Sequence, residues 1–117
     1  MNHKDLDVWK EGINFVKMVY QITSRFPDIE KFGLITQIRR AAVSVPANIS
    51  EGAARQSDKE FIHFLYISLG SIAELETLFI ISADQNYLNE ADSKEIDNSL
   101  QKIRSMLIGL IRYLKNK

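Results

Sequence analysis

The chain has 117 residues, 45% of them hydrophobic, which suits a single domain, residues 1–117, with a modest core. Its 15 basic residues balance its 15 acidic residues, which argues against strong non-specific binding of nucleic acid by one chain. It contains no cysteine, which excludes disulfides and thiolate chemistry and fits a reducing cytoplasm.

The first predicted helix covers residues 7–24. Two adjacent apolar rows run along it, at Val8, Phe15, Val19 and Ile22 and at Trp9, Ile13, Val16 and Tyr20. The helix is predicted to end at Phe26 and Pro27, because the residue before a proline is displaced from helical geometry. A short connection through Gly33 then leads to the second helix.

The second predicted helix covers residues 34–54 and contains Pro46 near its middle. Proline has no backbone N–H, and its ring crowds the carbonyl group of Ala42. An apolar row nevertheless keeps its register across the proline, at Ile38, Ala42, Val45 and Ile49. We therefore predict that Pro46 kinks this helix without ending it, with Ser44 or Ser50 satisfying the freed backbone groups.

A row of polar residues, the polar row, lies beside that apolar face, at Arg40, Ser44, Asn48, Glu51 and Arg55. Spacings of three and four place these residues on one helical face. They predict either a hydrogen-bond network between the second and third helices, which we prefer, or a solvated stripe of weak neighbouring pairs. The preferred network comprises Arg39, Arg40, Ser44, Pro46, Asn48, Glu51, Gly52, Gly70, Ser71 and Glu74. In it, Gly70 and Ser71 permit close approach, and Glu74 meets Arg39 or Arg40.

The last two predicted helices each begin at a capping sequence. Ser57 and Glu60 form a capping box that opens a helix over residues 58–83, and Asn89 followed by Asp92 opens one that ends near residue 115. The fourth helix carries a bundle seam at Ile96, Leu100, Ile103, Leu107, Leu110 and Leu114. No strand-like alternation occurs, so we predict an all-α, antiparallel up-down four-helix bundle with a proline-kinked second helix.

The third helix carries more apolar residues than a bundle core needs. They surround much of its circumference, at Phe61, Ile62, Phe64, Leu65, Tyr66, Ile67, Leu69, Ile72, Leu75, Leu78, Phe79, Ile80 and Ile81. This excess predicts a second buried surface, made by self-association into a closed ring or, as the rival interpretation, by a ligand groove. Charged residues and serines interrupt the stretch, and the first seven residues are polar, so neither a membrane span nor a signal peptide is expected.

The sequence contains no catalytic motif, which favours a non-enzymatic protein without a cofactor. Glu60 and His63 have the spacing of carboxylate-bridged di-iron bundles, but those sites need two such motifs and further glutamates. A partly exposed histidine is therefore the preferred interpretation, and His3 is expected in a mobile terminus without a ligand partner. The rival function is a small-molecule or metal-binding bundle centred on Glu60, His63 and Glu74.

Basic residues gather towards the end of the fourth helix, at Arg104, Arg112, Lys115 and Lys117. Cations at this position oppose the helix dipole, which is a sufficient structural reason for them. In a ring they would be repeated, which makes them a candidate surface for nucleic acid. The preferred function is therefore a homo-oligomeric adaptor for RNA or for a nucleic-acid-bound protein. The candidate nucleic-acid contacts are Arg39, Arg40, Arg55, Arg104 and Arg112.

The chain resembles the small four-helix-bundle proteins encoded in intervening sequences of bacterial large-subunit ribosomal RNA genes. The matching residues are Leu6, Asp7, Val8, Trp9, Tyr20, Phe26, Pro27, Phe32, Gly33, Leu34, Gln37, the run RRAAVSVPANISEG at 39–52, Phe64, Leu65, Gly70, Ser71, Glu74 and Leu75. The resemblance implies a bacterial cytoplasmic bundle that forms a five-membered ring. Relatives include a basic pentameric accessory protein of diversity-generating retroelements, which works with a reverse transcriptase and nucleic acid. This chain differs from that relative in being charge-neutral.

Overall fold

A computed structural model describes residues 2–117 and shows four α-helices in that range. α1 spans Asp7–Thr23, α2 spans Leu34–Ala53, α3 spans Asp58–Asp84 and α4 spans Glu90–Lys115. Two short 3-10 helices, His3–Asp5 and Asp28–Glu30, precede α1 and α2. The described residues form no strand, and each helix packs against its two neighbours in the order α1, α2, α3, α4. The prediction of an all-α four-helix bundle is therefore confirmed.

The starts of α3 and α4 follow from local side-chain hydrogen bonds. At α3, the backbone N–H of Glu60 donates to the Ser57 hydroxyl at 3.2 Å. At α4, the backbone N–H of Asp92 donates to the Asn89 side chain at 2.7 Å. Each bond satisfies an amide that has no partner within its own helix. These caps explain why the predicted starts of α3 and α4 lie within a residue or two of the observed ones.

α2 continues through Pro46 without a break, as predicted. Pro46 is buried against α1, where Gly12 allows the two helices to approach closely. A methyl group added at Gly12 would lie 3.3 Å from the Pro46 side chain, closer than most such contacts. The kink itself stays a prediction.

One apolar row of α1 faces the core, and the other faces outward. Val8, Phe15 and Val19 are buried, whereas Trp9 is half-buried and Tyr20 is exposed. The central core is aliphatic, and its fully buried members include Ile38, Val45, Ile49, Leu65, Ile72, Leu75, Ile103 and Leu107. The seam of α4 is buried at every predicted position except Leu110, which is half-buried.

Ion pairs join α1 and its following connection to α4 at two levels. Arg25 pairs with Asp92 at 2.8 Å, and Glu11 pairs with Lys102 at 2.9 Å. From Glu11 to Arg25 the residue numbers rise, while those of their partners fall from Lys102 to Asp92. α1 and α4 therefore run in opposite directions. Because Lys102 and Arg25 are largely exposed, each ion pair contributes at most about 1 kcal/mol to the stability of the fold.

Tyr87 joins the two connections at one end of the bundle. Its hydroxyl donates to the Glu30 carboxylate at 2.9 Å, and its ring packs on Phe26 with 5.5 Å between centroids. The hydrogen bond to Glu30 raises the pKa of Tyr87, and burial and the negative charge of Glu30 raise it further. The α1–α2 and α3–α4 connections are therefore held together.

α3 is long and apolar enough to cross a membrane, judged by length and composition alone. The central helix of a soluble bundle meets the same criterion. Here Phe61, Leu65, Ile72 and Leu75 on its inner face are buried among the other helices. We therefore interpret α3 as the core helix of the bundle.

Candidate functional site

Side-chain donors satisfy backbone carbonyls in the turns of α2 around Pro46. The hydroxyl of Ser44 donates to the carbonyl of Ala41, the amide of Asn48 to Ser44, the hydroxyl of Ser50 to Ala47 and the hydroxyl of Ser68 to Val45, at 2.8–3.0 Å. We call these residues the proline network. The carbonyl that loses its helical donor to Pro46 is that of Ala42, but Ser44 bonds to Ala41 and Ser50 to Ala47. The prediction that Ser44 or Ser50 satisfies the freed group is therefore wrong, because each hydroxyl reaches the carbonyl three residues before its own position.

The proline network extends across the contact between α2 and α3. The hydroxyls of Ser44 and Ser71 hydrogen-bond to each other, and Ser68 reaches the Val45 carbonyl from α3. Ser68 and Ser71 are both buried, so these bonds lie inside the helix contact. The polar row therefore reaches α3 at Ser44, while its neighbour Asn48 bonds within α2.

Other residues of the predicted network lie elsewhere. Arg39 turns towards α1, where its Nε donates to the Thr23 hydroxyl at 2.9 Å and its guanidinium lies 4.4 Å from the centre of the Tyr20 ring. The expected contact of Glu74 with Arg39 or Arg40 is absent from residues 2–117 because Arg39 faces α1, away from α3. Hydrogen bonding and stacking thus make Arg39 a link between α1 and α2.

The two glycines predicted for the network play different roles. A methyl group at Gly70 would meet no atom within 4 Å, so Gly70 does not provide a close approach within the chain. A methyl group at Gly52 would lie 2.8 Å from the Phe64 Cβ. Gly52 is therefore the glycine that brings α2 and α3 together, next to the bridge of Arg55 to Glu51 at 3.2 Å.

We expect Ser68→Ala to lower the free energy of unfolding by about 1 kcal/mol, because it removes a buried hydrogen bond. The hydroxyl is fully buried, and its acceptor, the Val45 carbonyl, lies next to Pro46. Ser105→Ala is the matched control, since Ser105 is exposed on α4. Chemical denaturation at a fixed chain concentration measures both changes. Equal stability of the two variants would contradict a stabilising role for the proline network.

A cationic and aromatic surface lies where α2 ends, α3 begins and α4 ends. Lys117 pairs with Asp58 at 3.6 Å, and the ammonium of Lys115 lies 2.9 Å from the Tyr66 hydroxyl. These contacts bring the C-terminus of α4 beside the first turns of α3. We call this surface the basic end, formed by Arg55, Lys59, His63, Arg112, Lys115 and Lys117 with Phe64, Tyr66 and Tyr113.

A shallow concavity of about 560 Å³ lies within the basic end. Arg55 stacks over the Phe64 ring at 4.8 Å, and the His63 ring meets the same phenyl edge-on at 5.5 Å. Lys59 and Glu60 line its edge. An open hollow that presents a stacked cation and aromatic edges suits a planar base and its phosphate.

Charge is separated along α4 although the whole chain is neutral. Residues 102–117 contain five basic residues and no acidic residue, whereas residues 84–97 contain five acidic residues and one basic residue. The acidic residues lie at the end where Tyr87 joins the connections, and the basic residues lie towards the basic end. The chain therefore has a net charge of zero but an uneven distribution of charge along α4.

The five predicted nucleic-acid contacts do not form one surface. Arg55 and Arg112 belong to the basic end. Arg39 and Arg40 lie in the first half of α2, and Arg104 forms an ion pair with Glu76 on α3. Lys59 and Tyr66 were not predicted, because they join the surface only where α3 and α4 pack with these turns side by side.

The residues proposed for a metal site do not assemble. Within residues 2–117, no three histidine, aspartate or glutamate side chains lie close enough to hold an ion. Glu60 and His63 line the concavity, whereas Glu74 lies eleven residues further along α3. His3 was expected in a mobile terminus, but its ring packs edge-on against Trp9 at 5.3 Å within a 3-10 helical turn.

Comparison with known proteins places this architecture in a family. No curated protein matches the chain. The chain is similar to a crystallised protein of unknown function from Bacteroides thetaiotaomicron, described as belonging to the S23 ribosomal protein family. The TM-score is 0.83 and the identity 26%, over 96% of this chain and 99% of that one. The sequence profile of the 23S rRNA-intervening sequence protein family matches residues 4–109, and the chain therefore belongs to this family.

Proposed function

We propose that this protein is a non-enzymatic, self-associating adaptor of the bacterial cytoplasm that binds RNA through its basic end. The observation that carries the proposal is the separation of charge along α4. A surface of cations attracts phosphates locally, even when acidic residues elsewhere make the net charge zero.

Exposed aromatic rings support single-stranded RNA as the ligand. Tyr66 and Tyr113 are exposed, and Lys115 lies over the Tyr66 ring at 5.3 Å. Unpaired bases stack on such rings while neighbouring cations bind the backbone phosphates. A double helix hides its base faces, so the aromatic residues of the basic end favour loops or single strands.

Self-association is supported by apolar side chains that remain exposed in the single chain. On α3 they include Ile67, Ile80 and Ile81. A ring of parallel copies, five in the arrangement that the resemblance implies, would bring several basic ends to one face. Several weak RNA contacts made at once raise the overall affinity without any new contact.

We expect the double variant Arg112→Ala with Lys115→Ala to bind single-stranded RNA more weakly than the unmodified protein. Both residues are exposed at the basic end, so their removal spares the core. The slope of log K against log salt is negative, and it should become shallower by about 1.4 for each protomer that loses two phosphate contacts. Mobility-shift titrations at several salt concentrations measure both effects.

The matched control replaces Lys17 and Lys94, which are exposed far from the basic end, and changes the net charge equally. Its affinity and salt slope should remain those of the unmodified protein. Equal weakening by both double variants would show that total charge, rather than the basic end, governs binding. Absence of salt-sensitive binding at micromolar protein would reject RNA binding altogether.

A further inference from the structure

Two large apolar side chains protrude from the connection between α1 and α2. Ile29 is 85% exposed and Phe32 is 89% exposed, more than any other large hydrophobic residue described. Their backbone is held in place, because the Glu30 carboxylate accepts from the backbone N–H of Leu34 at 3.2 Å and from Tyr87 at 2.9 Å. Apolar side chains fixed in water in this way indicate a contact surface.

An apolar pocket of about 170 Å³ opens between α3 and α4. Its walls are Phe79, Ile80, Ala83, Leu88, Ile96 and Leu100. A cavity of about 150 Å³ with aliphatic and aromatic walls holds one benzene molecule, so this pocket has room for one phenyl ring. We call it the α3–α4 pocket.

The rim of the α3–α4 pocket is acidic. Glu76 and Asp97 lie on it; Glu76 is paired with Arg104, whereas Asp97 forms no ion pair within residues 2–117. Lys31 places a positive charge beside the protruding Phe32, since its ammonium lies 5.7 Å from the centre of the Phe32 ring. This charge is opposite to that of the rim. A phenyl ring with an adjacent lysine therefore complements the pocket in shape and in charge.

The protrusion and the pocket lie at the same end of the bundle. The bond from Tyr87 to Glu30 joins the two connections there, and Leu88, the next residue, lines the pocket. They are separate patches, because the α1–α2 connection carries one and α3 with α4 forms the other. The protrusion of one copy can therefore meet the pocket of a second copy whose helices point in the same direction. Repetition of such a contact between two unlike surfaces can close into a ring.

We propose that Phe32 of one chain inserts into the α3–α4 pocket of a second copy, with Lys31 facing the acidic rim. This rests on the self-association proposed above and names the contact that mediates it. Phe32 supplies the apolar anchor, and Asp97 supplies the charge that orients it. A buried aromatic anchor surrounded by polar contacts is typical of protein interfaces.

Cysteine cross-linking tests this contact directly, because the chain has no cysteine of its own. The double variant Ile29→Cys with Ala83→Cys keeps Phe32 and Lys31, because Ile29 is an exposed neighbour three residues before Phe32. It is treated with a short bismaleimide linker. We expect the denatured product to shift from 13.4 kDa to covalent dimers and larger multimers. The matched control, Ile29→Cys with Gly109→Cys, places its second thiol on exposed α4 outside the pocket and should remain at the single-chain mass.

Light scattering of the unmodified protein separates the two proposals. An oligomer whose double variant cross-links no more than the control would reject the Phe32 contact and leave self-association standing. A stable particle of 13.4 kDa at micromolar concentration would overturn both. Ile29 and Ala83 are exposed, and circular dichroism melts of each single variant show whether the fold is intact.

Discussion

Ile72→Ala should lower the free energy of unfolding by about 2–5 kcal/mol, the largest change that we expect from one substitution. Ile72 is 0% exposed and lies in the middle of α3, the helix that packs on both α2 and α4. Truncation removes apolar atoms from a closely packed interior and leaves a cavity that rigid neighbouring helices fill only in part. Chemical denaturation at fixed chain concentration measures the change.

Ile81→Ala is the control for that substitution. It makes the same chemical change on the same helix, but Ile81 is 42% exposed in the single chain. Its effect on unfolding should be well below that of Ile72→Ala. If the two variants lost equal stability, either Ile72 would not lie in the core as described or Ile81 would be buried by assembly. Light scattering of the Ile81 variant distinguishes these two explanations.

Gly52→Ala should also destabilise the protein, by about 1–3 kcal/mol, because α2 and α3 would have to separate. The added methyl group would lie 2.8 Å from the Phe64 Cβ and 3.2 Å from the Phe61 carbonyl oxygen. Neither atom is the movable end of a side chain. Any displacement of Phe64 also disturbs its stacking with Arg55, so RNA binding should weaken with stability.

Gly109→Ala is the control, and we expect it to stabilise the protein. Gly109 lies within α4, and an added methyl group there meets no atom within 4 Å. Alanine favours the helical state over glycine by about 0.8–1.0 kcal/mol, so this variant should gain stability. Thermal and chemical unfolding measure both variants. A Gly52→Ala protein as stable as the Gly109→Ala protein would disprove the close helix contact.

The helices were predictable because their limits depend on residues close together in sequence. The Ser57 and Asn89 caps bond to amides three residues ahead, and Pro27 limits the residue before it. The core faces were predictable for a related reason, since spacings of three and four determine which side chains share a face. Pro46 was correctly placed inside a continuous helix because the apolar register continues across it.

The partners of individual polar residues were not predictable in the same way. The direction of Arg39 depends on the rotation of α2 against α1, and no local pattern shows that Thr23 and Tyr20 lie within its reach. The basic end likewise depends on which turns of α3 and α4 lie side by side. Gly52 and Gly70 look alike in sequence, yet only Gly52 lies where two helices nearly touch.

Opposite charge at the two ends of a particle 46 Å long makes this neutral protein an electric dipole. Net charge alone predicts little interaction between neutral molecules, but dipoles attract when unlike ends meet. Dissolved ions weaken that attraction, because the screening length falls from about 30 Å at 0.01 M salt to about 8 Å at 0.15 M. Near its isoelectric pH the protein should therefore dissolve better when moderate salt is added, as dipolar solutes do.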